Sequence, residues 1–124
     1  MKKLPDAEQE LMLIIWELDS PCTRTDIESK LTSKEVLPNT ILKLLSRLTE
    51  RGFIRTEKSG KINYYYPLIA KEDYINEAGN RILKNMFGNS LTRFAATMVD
   101  GGNISKEELE DLRAYIDSKL TEGK

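Results

Sequence analysis

A chain of 124 residues, 40% hydrophobic and 31% charged, can bury one modest core with a smaller unit appended, and its longest apolar run, Leu11 to Trp16, is far too short to cross a bilayer. With no histidine and a lone Cys22, the sequence offers no Ser-His or Cys-His nucleophile pair, no structural zinc site and no internal disulfide, and Lys2-Lys3 leads straight into Pro5-Asp6-Ala7-Glu8 without a signal-peptide core. The expectation is a cytoplasmic protein that is not an enzyme, needs no metal or cofactor and does not insert into a membrane.

Asp6 followed by Gln9 resembles an N-cap pair, and Leu11, Ile14, Ile15 and Leu18 recur at helical spacing beside Trp16, which gives a first helix. Ser20-Pro21 breaks it. Thr23 with Asp26 caps a short second helix through Leu31, buried through Ile27 and Leu31, and Thr32 to Leu37 reads as a connecting turn. Cys22, at the start of this second helix, reads as a small, partly buried apolar residue.

Pro38 suits the first turn of a third helix, where its missing N–H costs nothing, and Gly52 supplies the positive-φ stop after Arg51. Ile41, Leu44, Leu45 and Leu48 share one face, which leaves Asn39, Lys43, Ser46 and Glu50 opposite and Thr40 and Arg47 on the flank. Phe53 to Lys58 and Lys61 to Tyr66 alternate as two strands around Ser59-Gly60, with Ile54 and Thr56 on one face, Ile62, Tyr64 and Tyr66 on the other, and Lys58 and Lys61 beside the tip. The tyrosines read as core and edge packing rather than as a platform for single-stranded bases.

The net charge of −1 argues by itself against nucleic acid, but its sign is sorted along the chain. From Asp6 to Glu35 three cations face eight anions, whereas from Lys43 to Lys61 six cations face two anions. A basic stripe confined to a helix and the hairpin after it is the electrostatic footprint of a DNA-reading surface. The candidate DNA-contacting residues are therefore Asn39, Thr40, Lys43, Ser46 and Arg47 on the helix and Lys58 and Lys61 on the wing, with base edges read near the helix N-terminus and phosphates gripped elsewhere.

After Pro67 the signals are purely helical, so residues 1–70 form a winged helix-turn-helix domain and residues 71–124 a helical unit. Tyr74, Ile75, Ala78, Ile82 and Met86 make one stripe up to Gly88. Asn89 or Ser90 caps a helix carrying Leu91, Phe94, Ala95 and Met98, and Ser105 with Glu108 forms a capping box before Leu109, Leu112, Ile116 and Leu120. Three apolar stripes in about fifty residues need a cover. A second copy gives dimerisation through Ile75, Ile82, Met86, Leu91, Phe94, Met98, Leu109, Leu112, Ile116 and Leu120, and packing back on the N-terminal domain is the alternative.

Asp6-Ala7-Glu8, Glu10-Leu11-Met12 and Ile15-Trp16, then Pro38, Thr40-Ile41, Leu45, Arg47-Leu48 and Gly52, then Gly60-Lys61 with Tyr65 and Pro67, resemble in that order the first helix, recognition helix and wing of the penicillinase and methicillin-resistance repressors of the BlaI/MecI type. The resemblance implies a mainly α fold with a small β-hairpin wing, and a homodimeric repressor of transcription on a palindromic operator in double-stranded DNA. It also implies a membrane sensor-protease partner, an antibiotic signal, and release by a cut in the helical unit near Thr97-Met98, which stands where the best-known members carry Asn-Phe. Leu37 stands where the family often has a serine cap, and Lys119 to Lys124 lacks the thiols of the copper-responsive branch. The alternatives from the residues themselves are a winged-helix protein-interaction module and a ligand-responsive regulator not controlled by proteolysis.

Overall fold

The structure is a computed structural model describing residues 3–31 and 36–123, so the turn expected from Thr32 to Leu37, with its Lys34 and Glu35, lies largely outside the described residues. Six helices and one hairpin follow in the order α1 (Asp6–Glu17), α2 (Arg24–Lys30), α3 (Pro38–Glu50), β1 (Ile54–Ser59), β2 (Ile62–Pro67), α4 (Lys71–Phe87), α5 (Leu91–Asp100) and α6 (Lys106–Glu122). They form two compact units that meet in sequence between Ala78 and Gly79.

In the N-terminal unit, helical spacing places Leu11, Met12, Ile14 and Ile15 of α1, Ile27 of α2 and Ile41, Leu45 and Leu48 of α3 in one core with Leu4, Cys22, Phe53, Ile54, Tyr65 and Tyr74. Each of the larger aliphatic side chains contributes about 1.5–3 kcal/mol by leaving water. The expected Asp6–Gln9 cap is not formed. Helix α1 begins from Pro5, whose carbonyl accepts from Gln9 N–H at 2.9 Å, so Asp6 is already in the first turn and the Gln9 side chain turns elsewhere. The α2 capping box is present in both directions, Thr23 Oγ1 accepting from Asp26 N–H at 3.2 Å and Asp26 Oδ2 from Thr23 N–H at 3.0 Å. Helix α3 stops where the chain turns at Gly52, φ +80°, letting Phe53 N–H reach Leu48 O at 3.0 Å.

The hairpin turn sits one residue later than its expected place at Ser59-Gly60. Ser59 pairs with Ile62, which makes Gly60-Lys61 the two-residue loop, and Gly60 at φ +63° supplies the left-handed conformation needed at its first position. The pairing Thr56 to Tyr65 and Ile54 to Pro67 puts Ile54, Thr56 and Tyr65 on the inner face, leaving Ile62, Tyr64 and Tyr66 outside with Arg55 and Glu57. A further rung joins Cys22 to Tyr65 by reciprocal backbone hydrogen bonds of 3.1 and 2.8 Å, so the segment before α2 serves as a minimal third strand.

The first turns of α4 complete this unit. Tyr74 is buried against Trp16 and Phe53, with ring centroids 5.7 and 5.6 Å away, and its hydroxyl accepts from Leu4 N–H at 3.1 Å and donates to Gln9 Oε1 at 2.9 Å. The Trp16 indole N–H donates to Ile69 O at 2.9 Å. The α4 stripe therefore divides: Tyr74 and Ala78 pack inward, whereas Ile75, Ile82 and Met86 are exposed.

In the C-terminal unit, Gly88 and Asn89 both take positive φ to end α4, and Ser90 rather than Asn89 caps α5, accepting from Arg93 N–H at 3.0 Å. Phe87 and Phe94 meet edge to face at 5.2 Å across that turn. Ser105 Oγ accepts from Glu108 N–H at 3.0 Å to start α6. No residue of α5 or α6 is buried.

Candidate nucleic-acid interface

Because Ile41, Leu45 and Leu48 hold α3 by one face, its other face stands in solvent, and Asn39, Thr40, Lys43, Ser46 and Arg47 are all exposed there. The helix is tied at its C-terminal end on two sides. Arg51 Nε lies 2.7 Å from Oε1 of Glu8, a carboxylate that is only 1% exposed, which couples α3 to α1. Thr49 Oγ1 donates to Leu45 O and sits 3.2 Å from Thr56 Oγ1, which couples α3 to β1. Helix α3 and the hairpin are thus held in register by packing and hydrogen bonds.

These ties also sort the cations. Arg51 is spent on Glu8, and Arg55 pairs with Glu57 while its guanidinium lies 4.2 Å over the Tyr66 ring. Lys43, Arg47, Lys58 and Lys61 make no ion pair among the described residues. Their side chains are exposed on α3 and at the wing, so the positive field of the basic stripe resides in these four. Tyr64 and Tyr66 are half-buried on the outer face, and Tyr65 points into the core.

A groove of about 330 Å³ lies between α2, α3 and the wing, lined by Thr23, Arg24, Thr25, Leu42, Lys61, Ile62, Asn63 and Tyr65. Burial pushes the Tyr65 phenol above its ordinary range, against the opposing influence of the Asn63 side chain and the Arg24 charge. Arg24 Nε approaches Glu28 Oε1 at 3.4 Å, a charge contact one helical turn along. Burial, with the Asp26 charge adding, likewise pushes the Cys22 thiol up, so the thiolate needed of a nucleophile is disfavoured.

Sequence reasoning brought Lys61 to this region but not Arg24, Thr25, Leu42, Ile62 or Asn63. Helical periodicity says nothing of how α2 approaches a hairpin forty residues away. The Cys22–Tyr65 rung makes that approach, and a short cysteine segment carries no strand signature of its own. Among the described residues no group of three or more Cys, Asp or Glu side chains is arranged to hold a metal ion, and no helix is long and apolar enough to cross a membrane.

A capped short helix, an exposed polar helix face and a cationic two-stranded wing on one core define a winged-helix DNA-binding unit. The sequence profile of the penicillinase repressors matches residues 4–118, and the chain belongs to that family, whose members are DNA-binding repressors rather than enzymes. The penicillinase repressor of Bacillus licheniformis is 30% identical over 120 residues, covering 94% of each chain. The methicillin resistance regulatory protein MecI of Staphylococcus aureus (strain N315) is 28% identical over 117 residues, 94% of this chain and 95% of that protein. The solution structure of the DNA binding domain of the repressor BlaI aligns with a TM-score of 0.50 and 33% identity, over 60% of this chain and 94% of that one.

Proposed function

We propose that the chain works as a homodimer in the cytoplasm, each copy setting α3 in the major groove of one half of a palindromic operator while the wing touches the adjacent backbone, so that transcription is blocked. The observation that carries this reading is the exposed α3 face, continuous with the wing, on which Lys43, Arg47, Lys58 and Lys61 have no competing carboxylate partner among the described residues. Asn39, Thr40, Lys43 and Ser46 are the candidates for base edges, and Arg47, Lys58 and Lys61 for phosphates.

The exposed apolar side chains of α4, α5 and α6 support the second copy. Ile75, Ile82, Met86, Leu91, Leu109, Leu112, Ile116 and Leu120 are exposed at 36 to 72%, with Phe94 and Met98 half-buried beside them. So many exposed apolar residues favour an association surface. Two copies related by a two-fold axis also convert two weak half-site contacts into one strong one.

Release by a sensor protease through a cut at Thr97-Met98 extends the same logic, since weakening the dimer weakens operator binding without touching a DNA contact. Both residues lie inside α5, where Thr97 is exposed and its hydroxyl donates to Arg93 O at 2.9 Å. The names of the relatives point to antibiotic-resistance genes as the first class of target.

Selection from randomised duplexes, followed by a salt titration of the winner, tests the proposal. A two-fold repeat should be enriched, and log K should fall against log salt by about 0.9 for each phosphate neutralised. Failure to enrich any duplex would favour the protein-interaction reading instead.

A further inference from the structure

The geometry points to Arg24 as a phosphate-anchoring residue that, beside Lys61, grips a phosphodiester of its own on the DNA strand passing between α3 and the wing; this rests on the DNA-binding reading and extends it to a residue outside the basic stripe. With α3 in the major groove and the wing at its edge, the sugar-phosphate strand that bounds the groove must run between the two. The groove between α2, α3 and the wing lies there, with Arg24 and Thr25 on one wall and Lys61 and Asn63 on the other. Two cations from different elements thus face a single channel.

The lining suits a sugar-phosphate strand in its apolar part as well. Leu42 and Ile62 are 39% and 50% exposed in this lining, and they offer a surface for deoxyribose while the cationic rim reaches phosphate oxygens. Arg24 is prepared for the task by its neighbour. Its Nε is turned toward Glu28 at 3.4 Å, which orients the guanidinium plane and leaves the terminal nitrogens to donate a bidentate pair. With both partners of this pair partly exposed, the contact positions the side chain without holding it strongly.

The test uses the full chain, a selected operator duplex and a random duplex of equal length, with binding followed by fluorescence anisotropy at several salt concentrations. Arg24→Ala should weaken both duplexes by the same factor and reduce the salt slope by about 0.9 for each half-site occupied, whereas Arg24→Lys should keep most of the slope. An unchanged slope in Arg24→Ala, or a loss confined to the operator, overturns the anchor. Wild-type protein that binds no duplex brings down the DNA-binding reading itself, a result distinct from wild-type binding that Arg24→Ala leaves intact. Thermal melting of each variant accompanies the titration, and Arg24→Gln replaces Arg24→Ala should the alanine form melt early.

Discussion

Replacing Arg51 by alanine leaves the Glu8 carboxylate, only 1% exposed, without its guanidinium 2.7 Å away. Two unit charges about 4 Å apart attract by roughly 4 kcal/mol at the effective dielectric of a protein near its surface, and that attraction offsets the cost of keeping Glu8 out of water. Removing one partner of such a pair costs about 3–5 kcal/mol when the other stays buried, and the lower end applies here because the Arg51 side chain is itself 36% exposed. The converse change is milder. In Glu8→Gln the Arg51 guanidinium, itself partly exposed, can still donate to the amide oxygen and no charge is left buried, for a cost of about 1 kcal/mol. Denaturant unfolding should therefore rank Arg51→Ala well below Glu8→Gln, with the arginine variant melting roughly 10 °C lower than wild type. The double variant should recover much of the loss, because the orphaned charge is gone. Equal costs for the two single variants, or strict additivity in the double, would refute the argument that the buried carboxylate sets the energetics.

Further outcomes follow from the same structure. Lys43→Ala should weaken the operator and alter base preference, whereas Lys61→Ala should weaken all duplexes alike, as competition between operator and random DNA will show. Tyr74→Phe removes a hydroxyl that both accepts from Leu4 and donates to Gln9, so equilibrium unfolding should register a loss of about 1–2 kcal/mol. Leu112→Asp should shift the sedimentation coefficient toward that of a single chain and reduce operator affinity by orders of magnitude while sparing half-site binding. The Cys22 thiol holds its proton more tightly folded than unfolded, so its contribution is complete below its ordinary value of 9.0 and fades as pH rises through the higher folded value. Stability measured between pH 8 and 11 should accordingly fall less steeply in Cys22→Ala, and a steeper fall would contradict the shift.

Local patterns were the readable part. The apolar spacing of α3, the glycine at its end and the Thr23–Asp26 box each act within a few residues, where backbone geometry leaves little freedom, and all three stand as the sequence implies. Long-range pairings were not readable. Glu8 looks like any acidic residue in a first helical turn, yet it is drawn inward by an arginine forty-three positions away. Tyr74 looks like part of a C-terminal stripe but belongs to the N-terminal core, since its ring finds Trp16 and Phe53. The hairpin turn moved by one residue because Ser-Gly and Gly-Lys both supply a glycine, and the cross-strand register, not the dipeptide, chose between them. At the candidate interface the α3 residues could be read from the polar side of one helix. The α2 wall of the groove required a third dimension.

The Cys22–Tyr65 rung has a consequence for motion. A two-stranded ribbon alone frays readily, but here the strand is clamped at Tyr65, so the amides of Cys22 and Tyr65 should exchange with deuterium far more slowly than those near Gly60. The wing then behaves as a short cantilever, stiff at its root and compliant over its last few residues, able to follow variations in duplex width while the helix beside it keeps its aim.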